Sequence, residues 1–480
     1  MIKISIGVTL FFFAVNALAL TEKAFINKVL SQDTHFEKDQ IYVAIKKVEL
    51  EASKQNYVGW NTNLTMSLSN NYYDMDKETD SKSIYEKHRR KNSKSVGLSA
   101  EKRFLSNPSS LTLSAKRSIP DTDTIRYKRD ELYTGSNAKY SITTFDNNYT
   151  IKYKYPLLKH DGNASSLKTY YRDILDLERE KLDFGDAQEK FLVDRLKQYI
   201  DWNFYQKNAD IYQNYKQSLT MIKGSKAKDR SIIKIAILRA NQDALGNDSK
   251  LQSLKKELVS ALNDTSLWSQ SPEIDVNKNP KIVSNLTHYL RQNVRTLLKQ
   301  DIDRRLKEID LKHHKNQSLS KLDFSISAER NDNKGNTMSA IYDNKSILYT
   351  AGIDFSMPIG ADVNSQKDIQ VAQLNLRKLN IDYDNKLHDI LSGVQALIVG
   401  LHLARKSLDE HQKLITNIEK EVKLIRKDYL AQAATVKMLV YAYQEKRDVD
   451  LGYIQASTNY QKSLLEYNAK LDSVLPITQL

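Results

Sequence analysis

The sequence predicts a mainly α-helical chain with a β-barrel, built as two copies of one helix, strand, strand and helical-hairpin unit. Three observations predict it. A strand pattern of period 2 runs into a proline and then a glycine twice, in NNYTIKYKYPLLKHDG (147–162) and in SILYTAGIDFSMPIG (346–360). Each junction opens into a long run with helical spacing that contains no proline between Pro156 and Pro272 or between Pro358 and Pro476. Glycine (14) and proline (7) are scarce in 480 residues, so few turns are made and long elements must carry the length.

Residues 1–19 read as a signal peptide, with Lys3, an apolar run from Ile4 to Val15 and a small-residue site at Ala17-Leu18-Ala19. Cleavage is expected after Ala19. The chain has no cysteine, hence no lipidated N-terminal thiol and no disulfide framework. No later apolar stretch reaches 18 residues, so no transmembrane helix is expected, and any crossing of a membrane falls to strands.

The first repeat covers 20–262. Ile41, Ile45, Val48 and Ala52 place a helix over about 21–57, ended by Gly59 and Trp60. From 60 to 73, Trp60, Leu64, Met66, Leu68 and Tyr72 alternate with Asn61, Asn63, Thr65, Ser67 and Ser69. Two settings make such a strand: a barrel wall with lipid outside and water inside, or a half-buried sandwich. Residues 74–95 read as a polar loop, and 95–117 as a short extra hairpin about Asn107-Pro108. In the strand at 147–156, Tyr149, Ile151, Tyr153 and Tyr155 oppose Thr150, Lys152 and Lys154, lysines that a water-filled lumen tolerates and lipid does not. A helical hairpin over 162–262 turns at Gly224-Ser225.

The segment 263–281, rich in Pro and Asn, reads as a linker. The second repeat, 282–475, retraces the first. It has a helix at 282–313, strands at about 320–330 and 346–358 separated by a polar loop containing Gly335, and a helical hairpin over 362–474. Ile415, Ile418, Val422, Ile425 and Tyr429 step 3,4,3,4, the spacing of a coiled-coil seam. The hairpin breaks at YLAQAAT (429–435). At 1.5 Å per residue the long helices are about 90 and 100 Å, and the half-length helices stacked in pairs match them, which predicts a tube about 100 Å long. Four strands cannot close a spanning barrel, since the smallest has about eight. Closure needs several copies, and three give twelve strands.

The doubled unit, the junctions YPLLKHDG and MPIG, and the tips IKGSKAKDRSI and YLAQAATVKML together resemble the TolC-like outer-membrane efflux family over nearly the whole mature chain. The resemblance implies a homotrimer in the outer membrane, a 12-stranded β-barrel continuous with a long periplasmic α-helical barrel. It implies an exit duct of a tripartite efflux or type I secretion system, whose partners are a periplasmic adaptor (membrane fusion) protein and an inner-membrane pump. It places the periplasmic gate and adaptor contact at Lys223, Gly224, Ser225, Lys226, Lys228, Asp229 and Arg230 on one tip. The other tip supplies Tyr429, Gln432, Ala433, Ala434, Thr435, Met438 and Tyr441. Pro156, Gly162, Pro358 and Gly360 become hinges between barrel and helices. This sequence departs from the family in having Gln432 where a glycine is usual. Met438 and Tyr441 stand at the places of the acidic constriction of some members, and the first tip is basic. Rings of charge set ion preference in pores, so the entrance is expected not to be a cation-selective acidic ring, unless these lysines face solvent or the adaptor instead.

The net charge of +14 raises a nucleic-acid reading, but Lys and Arg are interleaved with Asp and Glu along helices, the composition of a solvated face. No catalytic or cofactor constellation is found: there is no H-E-x-x-H, no nucleophile elbow, and GSKAKD lacks the second glycine and the Lys-Ser/Thr of a phosphate loop. Two other readings stay open. A porin-like barrel with a helical stalk requires at least eight long strands per chain. A periplasmic coiled-coil adaptor or rod with sandwich strands requires apolar residues on both strand faces.

Overall fold

The computed structural model describes residues 18–32, 36–80, 83–104, 107–129, 138–159, 167–336, 341–357 and 363–475. In chain order the elements are β1 (Leu18–Thr21), α1 (Glu22–Gln32), α2 (Glu37–Val58), β2 (Trp60–Asp80), β3 (Ser83–Arg103), β4 (Ser110–Arg129) and β5 (Ala138–Pro156). Then come α3 (Lys168–Thr220), α4 (Ala227–Leu262), a 3-10 turn at Thr265–Ser269, β6 (Gln270–Glu273), α5 (Leu286–Asn293) and α6 (Arg295–Gln317). The chain continues through β7 (Lys321–Asn336), β8 (Ile341–Ser356), α7 (Val363–Leu430) and α8 (Val436–Lys470). They fall into two compact units, one from 44–178 and 302–380, the other from 1–43, 179–301 and 381–480.

The first unit holds one antiparallel sheet of six strands in the order β2-β3-β4-β5-β7-β8. The expectation of four long strands with a short extra hairpin is therefore corrected. Residues 83–103 and 110–129 are two full strands lodged between the first repeat's outer pair, and the stretch expected to be a polar loop after Tyr73 is the outer half of β2 and β3. Backbone ladder bonds do not require an apolar side-chain face, so a strand polar on both faces gives no period-2 signal. Register shifts interrupt the ladder at Met75/Glu78, Asn92/Lys94 and Arg117/Asp121, the local irregularity of a β-bulge.

The second unit is helical, with a two-stranded parallel sheet of β1 and β6. β1 includes Leu18 and Ala19, the last two residues assigned to the signal peptide; Leu20 and Thr21, facing Pro272 and Glu273, lie beyond the expected cleavage point. One core joins Phe25 and Val29 of α1 to Leu192, Leu196 and Tyr199 of α3 and Leu251, Leu258 and Leu262 of α4. A second joins Leu290, Val294 and Leu297 to Leu387, Ile390, Val394 and Leu401 of α7 and Tyr460, Leu464 and Tyr467 of α8. The helices expected at 21–57 and 282–313 are each two helices, the second broken at Val294, whose extended backbone (φ −87°, ψ 113°) caps α5.

Residues 263–281 are more than a linker. Tyr460 Oη donates to Lys278 O (2.8 Å), Tyr467 Oη to Lys281 O (3.1 Å) and Gln461 Nε2 to Asp275 O (2.9 Å). Tyr199 Oη donates to Leu20 O (2.5 Å) and accepts the Glu273 N–H (3.1 Å). These three tyrosines have no exposed surface, so a large ring fills the core while its hydroxyl satisfies a strap of backbone.

The expectation that no helix could cross a membrane also needs amending. By length and composition α7 contains an eighteen-residue window apolar enough to do so. Its Leu387, Ile390, Val394 and Leu401 are buried in the second helical core, the role of an amphipathic helix in a bundle.

Candidate functional site

Two surfaces stand out, the faces of the six-stranded sheet and the paired helical tips. Side chains alternate across a strand, and the register carries that alternation across all six strands. One row reads Thr62, Ala100, Leu113, Ile151, Ala328 and Tyr349; the next reads Leu64, Leu98, Ala115, Tyr149, Arg330 and Ile347. These residues share one face, and its large apolar members are uncovered: Leu64 is 63% exposed, Leu98 56% and Tyr349 77%. The opposite face, through Asn63, Ser99, Ser114, Thr150 and Glu329, is polar until the row ends at Leu348, 56% exposed. There Lys154 pairs with Asp323 at 2.7 Å, and Thr65 Oγ1 donates to Gly97 O at 3.2 Å. A Cβ on Gly97 would lie 2.8 Å from that hydroxyl, so a side chain there would have to turn Thr65 aside. Lys102 stands on the apolar face with its ammonium 5.8 Å above the Trp60 ring. Strands β2 and β8 have no neighbour on their outer edges among the described residues.

At the other site the turns of the two helical hairpins meet. Tyr429 Oη donates to Lys223 O at 2.7 Å, and beneath them Tyr215, Leu219, Ile222, Ile233, Val436 and Val440 form a buried cluster. Ile418 and Val422 of the expected seam are buried against Ala442 of α8, so the seam closes within the chain. Gln432 is left-handed, with φ 62°. It ends α7 where a glycine is usual, and Ala433 and Ala434 N–H both return to Asp428 O, at 2.8 and 3.2 Å. Thr435 then caps α8, its Oγ1 accepting the Met438 N–H at 3.3 Å. On the first tip Lys226 caps α4 without a side-chain bond, and Asp229 lies in the first turn, where its charge suits the helix dipole. A Cβ on Gly224 would meet Arg230 N at 3.1 Å. Lys223, Ser225, Lys226, Lys228 and Arg230 are exposed. Met438 and Tyr441 are 53% and 65% exposed, outside the core. The structure thus brings both sets of tip residues together. Of the four residues expected to be hinges, Pro156 ends β5 opposite Asp323, while Gly162, Pro358 and Gly360 lie outside the described residues.

One polar cluster escapes sequence reading altogether. Arg295, fully buried at the start of α6, donates to Glu189 and to Leu475 O, with Asp472 at 3.6 Å and Asp186 at 3.8 Å. Burial lifts the Glu189 carboxyl to about 7 although Arg295 pulls it down, and burial lifts Asp472 as well. The signal was an arginine and a glutamate 106 positions apart, each indistinguishable from its solvated neighbours. Among the described residues no group of three His, Asp or Glu is placed to hold a metal ion.

The fold is that of known outer membrane channels. The chain superposes on the Neisseria gonorrhoeae MtrE outer membrane channel in its open state with a TM-score of 0.58 at 10% identity, covering 97% of this chain and 92% of that one. The Campylobacter jejuni CmeC outer membrane channel gives 0.57 at 11% identity (94% and 85% covered), and the Vibrio cholerae outer membrane protein VceC gives 0.57 at 9% (94% and 95%). No family model matches the sequence, and no curated protein matches it.

Proposed function

We propose that this protein is an outer-membrane channel, the exit duct of a tripartite efflux or type I secretion system, working as a homotrimer with a periplasmic adaptor and an inner-membrane pump. The observation that carries the reading is the sheet: six antiparallel strands with an exposed, mainly apolar face interrupted by Lys102 and by Arg330 paired with Asp332, a mainly polar opposite face and two open edges. Lipid suits the first face and water the second. Open edges of this length invite pairing with another copy. The likeness to MtrE, CmeC and VceC supports the same reading at the level of fold.

The copy number of three comes from the family resemblance. With six strands per chain it makes an 18-stranded barrel, not the twelve expected from four; twelve would need two copies. Strands of 19 to 21 residues in β2–β5 are about twice what a crossing needs. Their outer halves therefore extend beyond the bilayer. The porin-like alternative asks for at least eight long strands in one chain, and the sandwich alternative for a second packed face; the sheet offers six strands and no packed face.

Cell fractionation with heat-modifiable electrophoresis and chemical crosslinking tests the proposal. The expected result is a heat-modifiable outer-membrane species whose crosslinked mass is three chains. A soluble periplasmic monomer would defeat it.

A further inference from the structure

Resting on the exit-duct reading, the charge of the tip identifies the chemistry of what binds there. Segments 216–234 and 420–437 hold eleven Lys or Arg and three Asp or Glu, so eight of the fourteen net positive charges of the chain sit in these two short stretches. All eleven basic residues are exposed, and among the described residues none of them makes an ion pair. Just behind the tip the pattern reverses. Lys446 bridges Glu419 at 3.4 Å and Asp450 at 3.1 Å, and Arg447 reaches Asp243 at 3.4 Å. The shaft neutralises its charges; the tip leaves them open.

Like charges at this density repel one another; at the turns the negative ends of α3 and α7 meet the positive ends of α4 and α8, so the repulsion that remains is that of the eight excess side-chain charges. Met221 and Leu430, 61% and 73% exposed, stand among the cations, apolar surface that a protein partner would cover. An anionic membrane is a poorer occupant. A helix that lies on lipid presents its apolar face to it, whereas Ile233, Val436 and Val440, the apolar residues nearest the basic turns on α4 and α8, are buried in the cluster below the turns.

We infer that the tip docks a protein partner whose contact surface is acidic, with Asp and Glu side chains meeting the basic residues of both turns. Complementary charge of this kind sets the encounter rate and rejects wrong partners.

A charge swap in living cells tests it. A photoreactive amino acid at the uncharged Ser225 captures the contacting chain, and mass spectrometry identifies the captured peptide. The expected peptide is rich in Asp and Glu. Reversing the first turn (K226E, K228E and R230E together) or the second (R426E with K427E) is expected to lower capture by about tenfold or more, and lysine substitution at the captured Asp and Glu to restore it. A captured peptide with no acidic cluster, capture indifferent to either reversal, or reversal-sensitive binding of the detergent-solubilised protein to phosphatidylglycerol vesicles in place of protein capture would overturn it. Conductance in planar bilayers keeps the two readings apart. Absence of conduction by the unaltered protein counts against the exit duct; intact conduction with charge-insensitive capture counts against the acidic partner alone.

Discussion

Gln432 holds a backbone conformation, φ 62°, that costs a side-chain-bearing residue about 1–2 kcal/mol. Gln432→Gly removes that cost and returns part of it as unfolded-state entropy. A net gain of about 0.5–1 kcal/mol is expected, read as slower amide exchange at Ala433 and Ala434, while a β-branched residue such as Val is expected to speed it. Arg295 poses the opposite problem, a guanidinium with no exposed surface. Above about pH 7, where Glu189 is charged, Glu189→Gln leaves the guanidinium with the Leu475 carbonyl and the more distant carboxylates of Asp472 and Asp186, and losing one partner of a buried pair costs about 3–5 kcal/mol. The pH dependence follows from the lifted carboxyls. Folded Glu189, at about 7 against an ordinary 4.5, holds its proton more tightly than the unfolded chain does. Its contribution to stability is therefore full below about pH 4.5 and lost as pH rises through 7, with Asp472 acting in the same direction. Thermal melting is expected to show a midpoint that falls between pH 5 and pH 8, with a shallower slope in Glu189→Gln; a midpoint rising over that range would refute the assignment.

Strands and straps carry their own tests. Leu98 and Ser99 are adjacent on β3 and face opposite sides. In the proposed barrel Leu98→Arg puts a cation into lipid, at about 2–4 kcal/mol near the bilayer midplane, whereas Ser99→Arg puts it into water. Heat-modifiable migration is expected to be lost at lower temperature in the first variant and little changed in the second; equal sensitivity would mean that the apolar face does not meet lipid. Tyr199→Phe removes the hydroxyl that joins Leu20 to Glu273 and is expected to cost about 1–2 kcal/mol, seen as faster exchange at Glu273. The two elements were not equally legible in the sequence. Strands with one apolar face, such as 60–73 and 147–156, announce themselves by parity. The outer halves of β2–β5 do not, because parity appears only where the two faces of a sheet meet different solvents. The straps were hidden for another reason: Tyr199, Tyr460 and Tyr467 find their polar partners inside, on backbone carbonyls distant in sequence. At the tips, Gly224 and the 429–435 break were readable because turns need particular residues; the bond from Tyr429 to Lys223 spans 206 positions and had no local signal.

At the scale of the whole molecule, the open edges of the sheet decide what assembly is possible. β2 has 21 residues and β8 has 16, and among the described residues the outer edge of each leaves a row of backbone donors and acceptors unpaired. In a bilayer that is not tolerated, because each unsatisfied backbone group costs several kcal/mol. Closing β8 of one copy onto β2 of the next satisfies every ladder and gives a cyclic assembly with six strands per copy. Diameter grows about linearly with strand number, so three copies make a barrel roughly half again as wide as a twelve-stranded one. The chain has no cysteine, which makes the pairing directly readable. Single cysteines placed along β2, at Leu64, Met66 and Leu68, are combined in turn with one at Tyr349 on β8. One combination in register is expected to oxidise into a ladder of one, two and three chains, with nothing larger, and all of it to collapse to single chains on reduction and boiling. A ladder that stops at two would establish a twelve-stranded barrel of two copies, and an absence of any intermolecular product across the whole scan would mean that the edges are covered by something other than a second copy.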